Sequence, residues 1–222
     1  AVADKTFDDA NATLEDAPIS LTMDSPYSIS KIMGEFYGVY YHNQHGLPVV
    51  RARFQNIYGP GEILGAGEWR GTAATVWRNV IPTFIYKALH GRPLPVENGG
   101  VATRDFIYVD DIVEGLVRCA LSGQPGGVYN LASGQETAIL DLANLINDLT
   151  GNVVPLAFKP QRSWDHSGKR FGSTEKAERE LGFCAEVGIR DGLERTIAWT
   201  REAMPLIEQT MHKHAAHMDL AF

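Results

Sequence analysis

The chain contains 222 residues, 44% of them hydrophobic, with a formal net charge of −7 and an isoelectric point near 5.5. This length and composition predict a soluble globular protein with one large domain or two small ones. The acidic balance argues against nucleic acid and anionic membranes as partners, because both attract a basic surface. No stretch approaches the ~20 apolar residues of a membrane helix, and we expect no signal peptide.

The cysteines and histidines give no pattern of a metal site. Cys119 and Cys184 stand far apart and lack CxxC spacing, so neither a disulfide framework nor a zinc site is expected, and a cytoplasmic location is predicted. Near the C-terminus, His212, His214 and His217 have no acidic or cysteine ligand close in sequence. We therefore predict a solvated tail there and no bound metal.

The first strongly predicted element is a helix over residues 26–45. It follows an acidic, irregular stretch over 5–24, which we interpret as a surface loop. Ser25 is a good N-cap, Pro26 suits the first helical position, and Gly46 suits the position after the last turn. Both ends of this helix therefore carry local signals.

Tyr27 and Lys31 lie four residues apart at the start of this helix and so share one face of it. An ammonium beside a phenol stabilises the phenolate and lowers the tyrosine pKa from its usual value near ~10. A tyrosine with a lowered pKa can take a proton from a sugar hydroxyl near neutral pH. Because this spacing is common on helix surfaces, the pair indicates catalysis only together with other motifs.

The next segment predicts a strand, a turn and a second helix. Residues 48–54 are rich in β-branched and apolar side chains, which favours a strand. The NIYGPG run at 56–61 indicates a turn, and a loop with further glycines continues to Gly71. Helical periodicity over 75–89 predicts a helix, in which Pro82 marks a kink or a restart.

The rest of the chain alternates between short strands and helices, which indicates an α/β fold. Strands are predicted over 94–96, 106–109, 128–132 and 153–158, and helices over 110–121, 137–149, 173–181 and from 191 onward, with a break or kink at Pro205. The acidic pair at 110–111 is interpreted as a helix cap and dipole partner. No G-x-G-x-x-G loop follows any strand, although a complete dinucleotide-binding domain is expected to carry one.

Several motifs occur in one order along the chain. They are SPYSISK at 25–31, RFQNIYGPG at 53–61, RNV at 78–80, TRDFIYVDD at 103–111, YNLASG at 129–134 and RSWD at 162–165. This ordered series resembles the extended short-chain dehydrogenase/reductase family, specifically its nucleotide-sugar epimerases and dehydratases. Each motif alone is modestly specific, whereas the ordered set, which covers about residues 24–200, is highly specific.

The resemblance implies NAD as the cofactor and assigns four residues to its site. Tyr27 resembles the catalytic base that takes the proton from the sugar O4. Lys31 resembles the residue that binds the nicotinamide ribose and lowers the tyrosine pKa. Phe54 and Gln55 match the strand end that approaches the nicotinamide carboxamide in the family.

The resemblance also implies a nucleotide-diphosphate sugar as the ligand. Arg104 and Arg162 match the diphosphate-binding positions, where guanidinium groups give bidentate donors, and Asp165 matches the acceptor for the ribose hydroxyls. The full set of substrate-binding candidates is Asn56, Asn79, Val80, Val96, Arg104, Arg162 and Asp165. Plainer alternatives are a turn residue for Asn56, a helix cap for Asn79 and an exposed ion pair for Arg162 with Asp165.

For the fold, the resemblance implies the C-terminal part of a Rossmann-like doubly wound parallel sheet plus a small α/β substrate-binding domain. Residues 1–72 would be the remainder of the NAD-binding domain. Residues 73–222 would mainly bind the nucleotide sugar, with segments near 100–132 returning to the sheet. The glycine-rich N-terminal half of the family has no counterpart in this sequence. For the family's upstream catalytic Ser or Thr, we expect a position just before Ala1, with Thr6 or Thr13 as the alternatives, although neither follows a convincing strand.

The predicted function is an NAD-dependent nucleotide-sugar 4-epimerase, present as a truncated chain that is inactive alone. Alternatives are a 4,6-dehydratase or a uronic acid decarboxylase of the same family, and, in another class, a non-catalytic nucleotide-sugar-binding or assembly module. A homodimer is expected, because the family pairs its tyrosine helices across a two-fold axis. Phe36, Tyr37, Tyr40 and Tyr41 give this helix a bulky outer surface.

Overall fold

The computed structural model of the protein describes residues 12–19, 26–161 and 168–217. The helices in these residues are α1 (Pro26–His45), α2 (Val80–Leu89), α3 (Val109–Ser122), α4 (Ile139–Thr150), α5 (Glu175–Leu181) and α6 (Ile189–His212). The strands are β1 (Arg51–Phe54), β2 (Asn56–Tyr58), β3 (Pro95–Glu97), β4 (Thr103–Arg104), β5 (Phe106–Tyr108), β6 (Val128–Leu131), β7 (Thr137–Ala138) and β8 (Ala157–Lys159). The predicted alternation of strands and helices is confirmed.

The strands pair mostly in parallel. β1 pairs with β6, β2 with β5 and β3 with β8, all parallel, whereas β4 and β7 are antiparallel. In the first pair Phe54 lies opposite Leu131, and in the second Tyr58 lies opposite Tyr108. Two parallel strands need a long connection between them, and the chain between β1 and β6 contains the helices α2 and α3.

Several predicted elements differ from the observed bounds, among them the strand predicted over 153–158, which is Ala157–Lys159, and the turn predicted over 56–61. Residues 56–58 form strand β2 and not the predicted turn, because they pair with β5 and the Asn56 amide donates to the Asp105 carbonyl at 2.9 Å. The turn begins at Gly59, whose φ is 150°, and a Cβ there would lie 2.6 Å from the Val109 side chain. Only glycine therefore fits this position without a shift of its neighbours.

The prolines within helices fall at tolerated positions. α2 begins at Val80 and not at residue 75, which places Pro82 in its first turn, where the missing amide hydrogen is not needed. Residues Ala73–Thr75 form a separate 3₁₀ turn. α6 runs through Pro205 as one helix, so of the predicted break or kink at this residue the break is wrong.

The buried apolar side chains form three clusters. The largest joins α2, α4 and α6, with Ile85, Leu142 and Leu193 fully buried. A second lies around β6, α3 and α5 and includes Leu131 and Phe183. The third, around Leu64, Val76, Tyr86, Ile207 and Met211, fixes the loop between β2 and α2 against the end of α6. These clusters hold the loops on which the candidate site depends.

A buried carboxylate ties three distant segments together. Asp105 has 0% exposure, and its Oδ1 accepts hydrogen bonds from the Ser133 amide and hydroxyl at 2.8 and 2.7 Å. Its Oδ2 accepts from the amides of Gly134 at 3.0 Å and Gly172 at 3.4 Å. Burial raises the pKa of the Asp105 carboxyl, and the hydrogen bonds from Ser133 and the two glycines oppose that rise.

A second polar contact attaches α1 to β1. The Glu35 carboxylate accepts from the Arg53 guanidinium at 2.7 and 2.9 Å, with both side chains mostly buried at 14% and 16% exposure. Arg51 adds a longer ion pair to Glu35 at 3.8 Å. Arg53 also donates to the Glu15 carbonyl at 2.8 Å, so one guanidinium holds α1, β1 and the 12–19 segment together.

We predict that Asp105→Asn lowers the free energy of unfolding by about 2–3 kcal/mol. The new amide group would present hydrogens to backbone amides that now donate to the carboxylate, leaving buried donors unsatisfied. Denaturant unfolding measures the change. Asp148→Asn, at an exposed position of α4, is the matched control and should shift the value by no more than about 0.5 kcal/mol. Equal effects of the two variants would contradict the structural role of Asp105.

We also predict that Glu35→Gln destabilises the protein by about 2 kcal/mol, because it leaves the Arg53 guanidinium without its charged partner. Chemical denaturation again provides the measurement. Glu114→Gln is the control: Glu114 pairs with Arg118 on α3 at 54% and 37% exposure, and such surface pairs contribute at most ~1 kcal/mol. A loss at Glu35 no larger than that at Glu114 would refute the proposed attachment of α1.

Candidate functional site

The predicted catalytic pair lies together on α1. Tyr27 is 69% exposed, and the Lys31 Nζ lies 5.1 Å from the centroid of the Tyr27 ring, within the range of a cation–π contact. The helix begins at Pro26, as predicted, while the expected cap Ser25 lies outside the described residues. The phenol and the ammonium are therefore adjacent and open to a ligand.

The same helix row continues to Glu35, four residues after Lys31. Glu35 binds Arg53 on β1, and Arg53 is the residue before Phe54. This contact therefore fixes the helix face that carries Tyr27 and Lys31 relative to the end of β1. Sequence reasoning missed Glu35. The available signal was its i, i+4, i+8 spacing with the pair, together with two arginines on the following strand.

The carboxyl end of β1 carries the two residues predicted to face the nicotinamide. Phe54 is 46% exposed, and the Gln55 amide donates to the Leu131 carbonyl at 3.2 Å. A Cβ on Gly172 would lie 2.9 Å from the Gln55 side-chain nitrogen, so this glycine makes room for Gln55. Ligands of parallel α/β sheets bind at such strand ends. The contact of both residues with a cofactor stays a prediction.

A cavity of about 150 Å³, called cavity A, joins three predicted substrate-binding residues. Its lining includes Asn56, Asn79 and Val80, together with Glu62 and Phe106. It lies between the end of β2, the start of α2 and the start of β5. Sequence reasoning did not identify Glu62, which follows the motif by one residue.

Both asparagines of cavity A are held by specific hydrogen bonds. The Asn56 Nδ2 donates to the Asp105 carbonyl at 3.2 Å, so Asn56 is a strand residue and not the turn residue of the plainer alternative. Asn79 occupies the N-cap position of α2 without a side-chain capping bond, and its Nδ2 donates to the Glu62 carboxylate. Burial raises the pKa of Glu62, while the Asn79 hydrogen bond and the Arg78 charge act against the rise.

The remaining predicted substrate residues are distributed differently. The Arg104 Nη1 donates to the carbonyls of Thr103 at 2.6 Å and Gly168 at 3.1 Å. The Val96 side chain is fully buried in the core, which leaves its backbone for the predicted contact with the nucleotide base. Arg162 and Asp165 lie outside the described residues.

A second cavity of about 150 Å³, called cavity B, lies along the loop between β2 and α2. It is lined by Gly67, Glu68, Arg70, Thr72, Ala74, Thr75 and Arg78. Arg78 of this lining is the chain neighbour of Asn79, which lines cavity A. Sequence reasoning gave Arg70 no role, because it lies in a glycine-containing loop without a recognised motif.

The C-terminal histidines do not form the predicted solvated tail. His214 is 3% exposed and its Nε2 contacts the Gly65 carbonyl at 2.9 Å, while the His217 ring stacks on Trp69 with centroids 4.9 Å apart. Within residues 12–19, 26–161 and 168–217, no three His, Cys, Asp or Glu side chains come together as a metal site. In the same residues, no helix is long and apolar enough to cross a membrane.

Comparison with known proteins places these features in a family. Residues 2–132 match the model of the NAD dependent epimerase/dehydratase family. The crystal structure of the Bordetella bronchiseptica enzyme WbmF in complex with NAD+ and UDP is similar, with 67% sequence identity and a TM-score of 0.83. The match covers 90% of this chain and 60% of WbmF.

Two curated relatives carry different activities. The dTDP-glucose 4,6-dehydratase of Streptomyces griseus is 30% identical over 185 residues, which is 83% of this chain and 52% of that protein. The UDP-glucose 4-epimerase of Mycolicibacterium smegmatis is 30% identical over 192 residues, which is 86% of this chain and 57% of that protein. The chain thus spans about half the length of both proteins. With its Rossmann-like α/β fold, the chain belongs to the NAD dependent epimerase/dehydratase family.

Proposed function

We propose that this chain forms the substrate-facing part of an NAD-dependent nucleotide-sugar 4-epimerase. The observation that carries the proposal is the Tyr27–Lys31 pair, which the Glu35–Arg53 contact aligns with the end of β1. Cavity A adds asparagine side chains for a polar ligand. The chain covers 60% of WbmF, so we propose this activity for the whole protein of which the chain would be a part.

The residues present fit the nicotinamide riboside half of NAD. Tyr27 and Lys31 offer a hydroxyl and an ammonium for ribose hydroxyls, and the half-exposed Phe54 ring offers an apolar surface at a strand end. Gln55 follows with an amide side chain. When bound, NAD+ supplies a reversible acceptor for the hydride that leaves the sugar C4.

The protein groups then have defined roles. Tyr27 would act as the general base and take the proton of the C4 hydroxyl while the C4 hydrogen leaves with its electron pair, so that C4 becomes a ketone. Lys31 places its positive charge 5.1 Å from the centroid of the Tyr27 ring. After the keto-sugar has rotated in the site, its C4 would take back a hydride on the opposite face, and Tyr27 would return the proton to O4.

The substrate-binding roles are part of the same proposal. Asn56 and Asn79 would hydrogen-bond the sugar and its diphosphate, with Val80 beside them in cavity A. Arg104 would bind the diphosphate through charge-assisted hydrogen bonds. Arg162, Asp165 and the backbone of Val96 complete the set, binding the diphosphate, the ribose and the base respectively.

A 4,6-dehydratase is the second candidate, because the Streptomyces griseus relative of that activity is as similar as the epimerase relative. Both reactions begin with the same oxidation at C4. In the dehydratase reaction the keto-sugar then loses water across C5 and C6, and the hydride goes to C6 of the sugar. Product analysis distinguishes the two, since only the epimerase preserves the mass of its substrate.

We further propose a division into a cofactor-binding part, residues 1–72, and a mainly substrate-binding part, residues 73–222, with segments near 100–132 in the first. The parallel pairing of β6 with β1 supports the return of the chain to the cofactor side. A cytoplasmic location is proposed on the cysteine content, since only two cysteines occur in the chain.

We predict that Tyr27→Phe lowers kcat by about 10²–10⁴-fold, the range expected for the loss of a general base. The assay uses the full-length natural protein with NAD+ and a nucleotide sugar, and follows epimer formation. Tyr86→Phe is the matched control, because the Tyr86 hydroxyl is buried without a hydrogen-bond partner among the described residues. Near-normal turnover by Tyr27→Phe would exclude its role as the base. Binding of nucleotide sugar without turnover by the unmodified protein would favour a non-catalytic module.

A homodimer through α1 is also proposed. Phe36, Tyr37 and Tyr40 are 55%, 58% and 53% exposed on one side of this helix, and exposed aromatic rows are typical of interfaces. The combined change Phe36→Glu and Tyr40→Glu should therefore shift the protein to monomer in sedimentation velocity. Val153→Glu, at a side chain 93% exposed outside α1, should leave the distribution unchanged. A dimer that persists in the α1 variant would rule out this interface.

A further inference from the structure

Glu62 contributes a carboxylate to cavity A, although no motif of the sequence assigns this residue a role. It follows the end of β2 by four residues and lines the cavity. The side chain is half-buried, and burial raises the pKa of its carboxyl. Because a carboxylate withdrawn from water is costly unless other groups compensate it, its partners indicate what it does.

The Glu62 carboxylate lies at the start of α2. It accepts a hydrogen bond from the side-chain nitrogen of Asn79, which is the N-cap residue of this helix. Together with this hydrogen bond, the charge of Arg78 opposes the rise in the pKa of Glu62 that burial causes. The N-terminus of a helix carries a partial positive charge and attracts anions. Glu62 therefore supplies, from within the protein, the negative charge that an anionic ligand would otherwise bring to this helix end.

The polar side chains of cavity A have committed donor hydrogens to the protein. The Asn56 Nδ2 donates to a backbone carbonyl at 3.2 Å, the Asn79 Nδ2 donates to Glu62, and the Tyr58 hydroxyl donates to a backbone carbonyl at 3.4 Å. Among the described residues, neither asparagine Oδ1 accepts a hydrogen bond. These side chains therefore offer a ligand mainly acceptors, namely two amide oxygens and the carboxylate.

The Glu62 carboxylate keeps capacity for a ligand. A carboxylate has about four acceptor positions, and Asn79 fills one of them. In the part of the chain that the structure describes, no other hydrogen bond reaches this carboxylate. A phosphate at this position would meet a like charge, whereas a sugar hydroxyl would donate a charge-assisted hydrogen bond. The chemistry of this end of cavity A therefore favours hydroxyl groups over phosphate.

We propose that Glu62 is a specificity-determining residue that accepts a hydrogen bond from a hydroxyl group of the sugar ring in cavity A. This inference rests on the proposed nucleotide-sugar site and names the part of the ligand that binds at this end of it. The sugar ring then lies against Glu62 and Asn79. The diphosphate lies on the Asn56 side, next to Asp105 and Arg104.

The test is a thermodynamic cycle that combines Glu62→Gln with the loss of single sugar hydroxyls. Calorimetry on the full-length natural protein measures the Kd of UDP-glucose and of its 2-deoxy, 3-deoxy and 6-deoxy forms. NADH replaces NAD+, because it cannot accept a hydride and the titration then reports binding alone. For one hydroxyl, its loss should weaken binding to the unmodified protein by about 10- to 100-fold, as for a hydrogen bond to a charged group. In Glu62→Gln, which lacks the charge, the loss of the same hydroxyl should cost about fivefold less or smaller still.

Binding of UDP alone separates the sugar from the phosphates. Glu62→Gln should leave the Kd of UDP unchanged. Tighter binding of both UDP and UDP-glucose by this variant would place Glu62 against the phosphates and overturn the proposal. A purely structural role would weaken UDP-glucose and all its deoxy forms by one common factor, and that result would also overturn it.

Two further variants complete the test. Glu202→Gln removes a negative charge from an exposed position of α6 outside the lining of cavity A, and it should retain the hydroxyl dependence of the unmodified protein. Glu62→Asp keeps the charge and shortens the side chain by one methylene group. It provides the same cycle if circular dichroism shows that Glu62→Gln is unfolded.

The outcome for Glu62 is independent of the outcome for catalysis. A hydroxyl that couples to Glu62, without any turnover when NAD+ is supplied, would support the role of Glu62 and reject the 4-epimerase. Normal epimerisation without a coupled hydroxyl would reject the role of Glu62 and leave the 4-epimerase intact. Failure of the unmodified protein to bind UDP-glucose would overturn both.

Discussion

The buried carboxylate of Asp105 is the interaction on which the arrangement of the site depends. The carboxylate accepts hydrogen bonds from Ser133, Gly134 and Gly172. The backbone carbonyl of Asp105 accepts hydrogen bonds from both the backbone amide and the side chain of Asn56. A charged group without solvent contact is costly unless donors surround it. Asp105 therefore holds the starts of β2 and β5 against the segment that follows β6, next to the Asn56 side of cavity A.

Arg53 performs a similar task beside α1, where its guanidinium joins α1, β1 and the 12–19 segment. The segment is held further by Asn130, whose amide donates to Glu15 and whose side chain donates to the Thr13 carbonyl. Polar contacts between residues distant in sequence thus hold α1, which carries Tyr27 and Lys31, against β1. Apolar clusters and the Asp105 hydrogen bonds hold the elements around cavity A.

The predictable part of the structure was the part encoded by neighbouring residues. α1 was predicted at its observed bounds, because Pro26 and Gly46 are local signals, and the α/β alternation followed from periodicity. Strand β2 was missed, since its pairing partners at 106–108 are distant in sequence. Glu62 and Arg70 were missed for the same reason, since their neighbours are brought close only by the folded chain, whereas Glu35 was missed although its helical spacing with Tyr27 and Lys31 was visible in the sequence. The ordered motifs identified the family, while the individual site residues stay predictions.

The contact between α6 and the Gly65 loop ties the position of cavity B to residues outside its lining. Met211 and His214 are not among the lining residues of either cavity, yet both contact Gly65, in the loop that carries Trp69 and Arg70. Both side chains are buried, so a substitution at either position would shift this loop without changing Tyr27 or Lys31. Variation in the C-terminal part of the chain can therefore alter the shape of cavity B through packing alone.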